Sequence, residues 1–136
     1  MNTLFLEPTE YSPRVKFTPD EHCLEITGIS RPEDVIGFYE PLLQRINQYL
    51  SMLEELDEET RKDIIITLVF DLEYINSASS KYLLQVISHF KQLLDKGMEV
   101  EVYWYYEDPD DQILEDGEDL SEVLKVSFRF VTRDEE

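Results

Sequence analysis

At 136 residues the chain is one domain's length, and 42% hydrophobic residues suffice to fill a single core. Its 31 acidic against 12 basic residues give a formal charge of −19, which excludes nucleic acid and anionic membrane as partners. No apolar run approaches the ~18 to 20 residues that cross a bilayer, no basic-then-apolar signal opens the chain, and a lone Cys23 suits a reducing cytoplasm.

The elements follow in order. RVKFTP (14–19) and CLEITGIS (23–30) each alternate in hydrophobicity and predict a β-hairpin turning through Asp20, Glu21 and His22. Ser30 and Glu33 have capping-box spacing, with Pro32 in the first turn, ahead of a helix. That helix carries Val35, Phe38, Tyr39, Leu42, Ile46, Tyr49, Leu50 and Leu53 at helical spacing. Pro41 is expected to kink it, or to divide it into a short helix and a longer one. LDEETRKD (56–63) reads as a solvated connection.

Residues 64–72 are apolar on both alternating faces, as in a strand at the middle of a sheet. A second helix is predicted from about Ala78 to Lys96, with Leu83, Ile87, Phe90 and Leu94 as its buried stripe and Gly97 as its stop. EVEVYWYY (99–106) is a strand that points Val100, Val102, Trp104 and Tyr106 inward. An acidic loop over 107–119, a short helix near Asp119 to Leu124 and a last strand over 126–131 complete the order. The implied class is α/β: one domain over 1–136, with a mixed sheet of about five strands, two main helices on one face and a short third helix.

Motifs for catalysis are scarce. His22 and His89 have no cysteine or histidine at ligand spacing, so no metal site is predicted. Gly28, Gly37, Gly97 and Gly117 are scattered, and no strand-to-helix turn holds a phosphate-cradling glycine pattern or a nucleophile elbow. The acidic run around Gly117 lacks the oxygen spacing of a calcium loop. With 31 acidic residues, carboxylate pairs arise by chance and identify no acid–base dyad. The reading is a protein without catalysis and without a cofactor. Its acidity is either an ordinary solvated surface or a docking surface for a basic protein partner.

One junction stands out. DLEYINSASSKYLLQ (71–85) places Asn76, Ser77, Ser79 and Ser80 where the apolar strand meets the second helix. Asn76 or Ser77 is the expected N-cap, worth about 1 kcal/mol, which accounts for one side chain and leaves the others unexplained. A helix amino terminus also tolerates an anion, and phosphorylation adds ~1.5 to 2 negative charges without unfolding such a site. The junction is therefore the candidate regulatory site.

The same stretch resembles STAS domains, the anti-anti-sigma-factor type of phosphorylatable switch, and is more closely similar to the SiaC family of regulatory phosphoproteins. The similarity rests on GISRPEDVIGFYEPLLQRI (28–46), LEYINSASSKYLLQ (72–85), EVYWYYEDPDDQILEDGEDLSE (101–122) and the last strand. It implies a STAS-like fold and a role without catalysis: modification by a partner serine/threonine kinase, and restoration by a PPM-type phosphatase. It further implies that the unmodified form binds and activates a diguanylate cyclase, raising cyclic di-GMP and favouring biofilm.

Carried over by position, the modified hydroxyl after the family's asparagine falls on Ser77, with Ser79 and Ser80 as fallbacks. The family often has threonine there, so this serine is a departure. The resemblance and the small side chains at the junction together place a partner over Asn76, Ser77, Ser80 and Lys81, flanked by Tyr39 and Glu40. Lys81, one turn after Ser77, either pairs with a phosphate there or is an ordinary solvent-facing lysine; Tyr39 either flanks the site or is core. The alternative function is a constitutive interaction or scaffold domain, or an anti-sigma-factor antagonist, with Ser77 only a helix cap.

Overall fold

Strand after strand is laid down in chain order. In the computed structural model, which describes residues 1–133, β1 (Leu4–Leu6), β2 (Arg14–Thr18), β3 (Cys23–Ser30), β4 (Ile65–Ile75), β5 (Glu99–Tyr106) and β6 (Phe128–Thr132) lie side by side in that sequence. β1, β2 and β3 pair antiparallel; β3 to β6 pair parallel. Each parallel step needs a crossover. α1 (Val35–Glu54) with the single turn α2 (Glu58–Arg61), then α3 (Ser77–Asp95), then α4 (Gln112–Leu124) supply the three crossovers.

The register aligns the apolar positions into rows. Leu24, Leu68 and Val102 face one another across β3, β4 and β5, as do Ile26, Phe70 and Trp104 one step along. All six are buried, and α1 and α3 close over them with Leu42, Ile46 and Leu53, and with Leu83, Ile87 and Phe90. In α3 the buried stripe uses Val86 and Leu93, whereas Leu94 is only half-buried: a 3.6-residue period splits each turn's burial between adjacent positions. The hairpin, the central strand and the two main helices on one face are as the hydropathy pattern predicts.

Several details differ. The sheet has six strands, because the three residues of β1 extend it beyond the hairpin; so short a run carries no readable alternation. β4 is central, but its second face, with Thr67, Val69 and Asp71, is only half-covered. The capping box at Ser30 and Glu33 does not form. Ser30 ends β3 with its carbonyl accepting from Asn76 N, while Asp34 caps α1 by accepting from Gly37 N at 2.9 Å. α1 then runs as one helix through Pro41. The connection at 56–63 contains α2, capped by Asp57.

The largest departure is α4. Thirteen residues of helix replace most of the acidic loop and the short last helix. Ile113, Gly117, Leu120 and Leu124 form its buried stripe, at helical spacing. Gly117 lies so close to the Trp104 indole that a Cβ there would fall 2.5 Å from its Nε1. That Nε1–H donates to the Ile113 carbonyl at 2.8 Å, which fixes the ring under the helix. Among the described residues no helix is long and apolar enough to cross a membrane.

Candidate functional site

Parallel strands deliver their carboxyl ends to one side of a sheet, where binding sites of open α/β folds ordinarily sit. Here β3 ends at Ser30 and β4 at Ile75, and the next residues bring the serine junction to that rim. Asn76 has extended backbone angles (φ −82°, ψ 169°), and its Oδ1 accepts from Ser79 N at 2.8 Å. Asn76 is therefore the cap, not Ser77. The Asn76 carbonyl accepts from Ser80 N and closes the first helical turn.

The three hydroxyls have different surroundings. Ser77 is the first helical residue, and its side chain is exposed. Ser79 is fully buried, its Oγ receiving a hydrogen bond from Ser30 Oγ at 2.8 Å. Ser80 is half-buried in a groove of about 340 Å³ lined by Asn76, Ser77, Ser80 and Lys81 on one wall and by Asp116 and Leu120 of α4 on the other. Lys81 is exposed and shares this groove with Ser77, so it offers a cation, opposed by the Asp116 carboxylate across from it.

Tyr39 belongs to the core. It is fully buried, and its hydroxyl lies 2.5 Å from Ser30 Oγ. Since the single proton of Ser30 goes to Ser79, Tyr39 donates to Ser30, and the three groups form a chain inside the protein. Burial pushes the Tyr39 phenol up to about 12, against the opposing effect of its serine neighbours, so it stays a donor at any physiological pH. The Tyr39 ring stacks beneath Tyr82, with centroids 5.3 Å apart, and a partner reaches Tyr82 before Tyr39. Glu40 is exposed and accepts from the Tyr82 hydroxyl at 3.3 Å. The start of α1 thus reaches the site through Tyr82 and Glu40.

Two further groups at this rim carry no motif in the sequence. Tyr74, about half exposed (49%), projects from the end of β4 two residues before the cap. The Arg31 guanidinium lies over it and over Tyr11, at 5.9 and 5.2 Å from the ring centroids. Ile36, in the first turn of α1, is 61% exposed. An exposed tyrosine at the end of an apolar strand and an isoleucine off the helical stripe were the available signals. Among the described residues no three His, Cys, Asp or Glu side chains gather as a metal-holding group, and His22 lies elsewhere, its Nδ1 2.6 Å from the Tyr49 hydroxyl.

The family model for the SiaC family of regulatory phosphoproteins matches residues 6–133. The chain belongs to the SiaC family. Its fold matches SiaC of Pseudomonas aeruginosa with a TM-score of 0.78 at 20% identity, covering 96% of this chain and 97% of that one. Apo-SiaC of the same organism gives 0.73 at 19% identity, covering 97% and 98%. A chain in the crystal structure of the diguanylate cyclase SiaD in complex with its activator SiaC, also from P. aeruginosa, gives 0.81 at 18% identity, covering 96% and 99%. No curated protein is a significant match. At these identities the structures speak for the fold; the family is given by the sequence match.

The assignment of the cap separates two substitutions in this SiaC-family chain. Asn76→Ala removes the acceptor for Ser79 N and is expected to cost about 1 kcal/mol. Ser77→Ala removes no cap and should stay within about 0.5 kcal/mol of the parent. Urea melts of both variants check this, and equal losses would contradict the assignment.

Proposed function

We propose that this SiaC-family protein is a non-enzymatic cytoplasmic switch controlled by phosphate on Ser77. Unmodified, it docks on and activates a signalling enzyme of the diguanylate cyclase type; phosphorylated, it is released. A serine/threonine kinase adds the phosphate and a PPM-type phosphatase removes it. The observation that carries the reading is the division of labour at the junction. Asn76 caps the helix, Ser79 is locked in the interior, and Ser77 presents an exposed hydroxyl with no structural duty assigned to it. A modification there alters the surface and spares the fold.

The docking surface is the rim at the carboxyl ends of β3 and β4. Ser77, Ser80 and Lys81 form its centre, with Asn76 beneath and Glu40 and Tyr82 to one side. Tyr74, Arg31 and Ile36 supply the large side chains that interfaces favour. Tyr39 supports this surface from below. With the chain at −19, a partner's contact face is expected to be basic. The association rate should then fall several-fold between about 0.05 and about 0.3 M salt, a change that stopped-flow mixing resolves. A rate indifferent to salt would count against a basic partner.

The test is direct. The protein is isolated from its native cells and the phosphopeptides are mapped; phosphate on Ser77 is expected. The unmodified protein is then titrated calorimetrically against the co-expressed cyclase, with cyclic di-GMP production as the second readout. No phosphate at Ser77, together with binding that ignores the modification, leaves a constitutive interaction domain.

A further inference from the structure

The helices cover one face of the sheet and leave the other bare. For the four parallel strands this is unusual, because parallel sheets are ordinarily covered on both sides. The centre of the bare face holds Thr67 and Val69 of β4 and Tyr103 of β5, with Val131 towards its edge on β6, all half-buried by their neighbours. Phe5 on β1 and Ile65 on β4 add exposed apolar surface, each 49% exposed. Charges interleave with these residues, Glu25 beside Val69 and Arg129 over the Tyr103 ring, and they pair with one another: Arg14 with Glu25 at 3.5 Å, Arg129 with Glu101 at 3.1 Å, and Arg133 with Asp71 at 2.8 Å. Lys16 stands opposite Glu25 across β2 and β3. The face is close to neutral on a chain of −19, so the acidic excess lies on the helical side and in the loops.

We propose that two copies of this chain associate through this face, sheet against sheet, with their acidic helical sides turned outward. Charge selects the occupant. A basic partner is drawn to the acidic remainder of the surface, not to the one face whose charges are internally matched. A second copy is repelled by that remainder, and back-to-back packing sets the two acidic surfaces furthest apart. Apolar and aromatic side chains interspersed with mutually paired charges can be buried against a like surface without stranding a net charge, and facing sheets pack about 10 Å apart. Six strands span about 24 Å, by about 17 to 20 Å along the strands, which is small for a stable interface, so the dimer is weak. Ser77 lies on the helical side of the rim and stays accessible in such a dimer, so this inference does not rest on the phosphate switch.

Sedimentation equilibrium of the full chain at about 0.2 mM, in about 0.05 and about 0.5 M salt, is the test. Screening removes the repulsion between copies, so dimer is expected in high salt and at least about tenfold weaker association in low salt. Val69→Glu puts a carboxylate at the centre of both facing surfaces, and Val131→Glu does so on the edge strand β6. Each should weaken the dimer by about tenfold or more while the melting temperature stays within a few degrees. If Val69→Glu fails to fold, Val131→Glu and the salt series decide. A monomer at both salt concentrations overturns the proposal. So does a dimer indifferent to salt, or one that survives these substitutions in folded protein.

Discussion

Phosphate on Ser77 is expected to leave the domain folded and to lower its affinity for the signalling partner by more than about a hundredfold. Two energies compete. Within the domain, the dianion sits on the first residue of α3, where the helix dipole favours it by about 0.3 to 1 kcal/mol. Lys81 in the same groove adds attraction and Asp116 subtracts it, so the local balance stays small. At the proposed interface the dianion would lose its water, and an uncompensated buried charge costs several kcal/mol. Interface loss outweighs local gain. About 3 kcal/mol is already more than a hundredfold in affinity. Ser77→Asp carries half the charge and should reproduce part of the loss, while Ser77→Ala should bind constitutively at near-parental stability. Calorimetric titration of the phosphorylated protein and both variants against the cyclase measures each term. Tight binding by the phosphoprotein and by Ser77→Asp would end the switch reading.

Gly117→Ala should destabilise the protein by about 2 kcal/mol, lowering its melting temperature by about 5 to 12 °C. The sign is the informative part. In an exposed helix interior, replacing glycine by alanine normally adds about 1 kcal/mol of stability. At this position the new Cβ falls 2.5 to 2.6 Å from three atoms of the Trp104 indole. The ring cannot retreat: it is fully buried, stacked on Phe128 with centroids 5.8 Å apart, and tied to the Ile113 carbonyl. α4 must therefore lift away from the sheet, losing contacts along Leu120 and Leu124. Thermal melting followed by tryptophan fluorescence checks both the loss and its place. A stabilised Gly117→Ala would mean that α4 moves freely over Trp104.

The same glycine marks a contact that is not legible in the sequence. The hairpin, β4, α1 and α3 each repeat their hydrophobic period long enough to be legible. α4 does not, because Glu115, Asp116, Glu118 and Asp119 surround Gly117 and together resemble a loop. The glycine answers to a tryptophan thirteen positions earlier, and nothing local reports that contact. β1 escaped through brevity. The capping box at Ser30 and Glu33 had the right spacing, but Ser30 was needed inside, where it joins Tyr39 to Ser79 across three separate elements. At the site itself the junction and its hydroxyls were legible. Which neighbour caps the helix was not, since Asn76 and Ser77 are comparable capping residues and only the backbone angles distinguish them. Tyr39 carried two signals, a helical stripe and a place beside the motif, and its complete burial decides for the stripe.

Because the cap and the exposed hydroxyl are adjacent but separate residues, natural variation can act on them separately. A lineage can exchange serine for threonine at position 77, or lose the hydroxyl altogether, and inherit a domain that still folds. Position 76 is narrower, being confined at no cost to residues whose side chain can still accept from Ser79 N. In the switch proposed here, recognition at position 77 can therefore drift, diverge after duplication or disappear without a folding penalty, and an engineer can retune that position at one codon without rebuilding the scaffold.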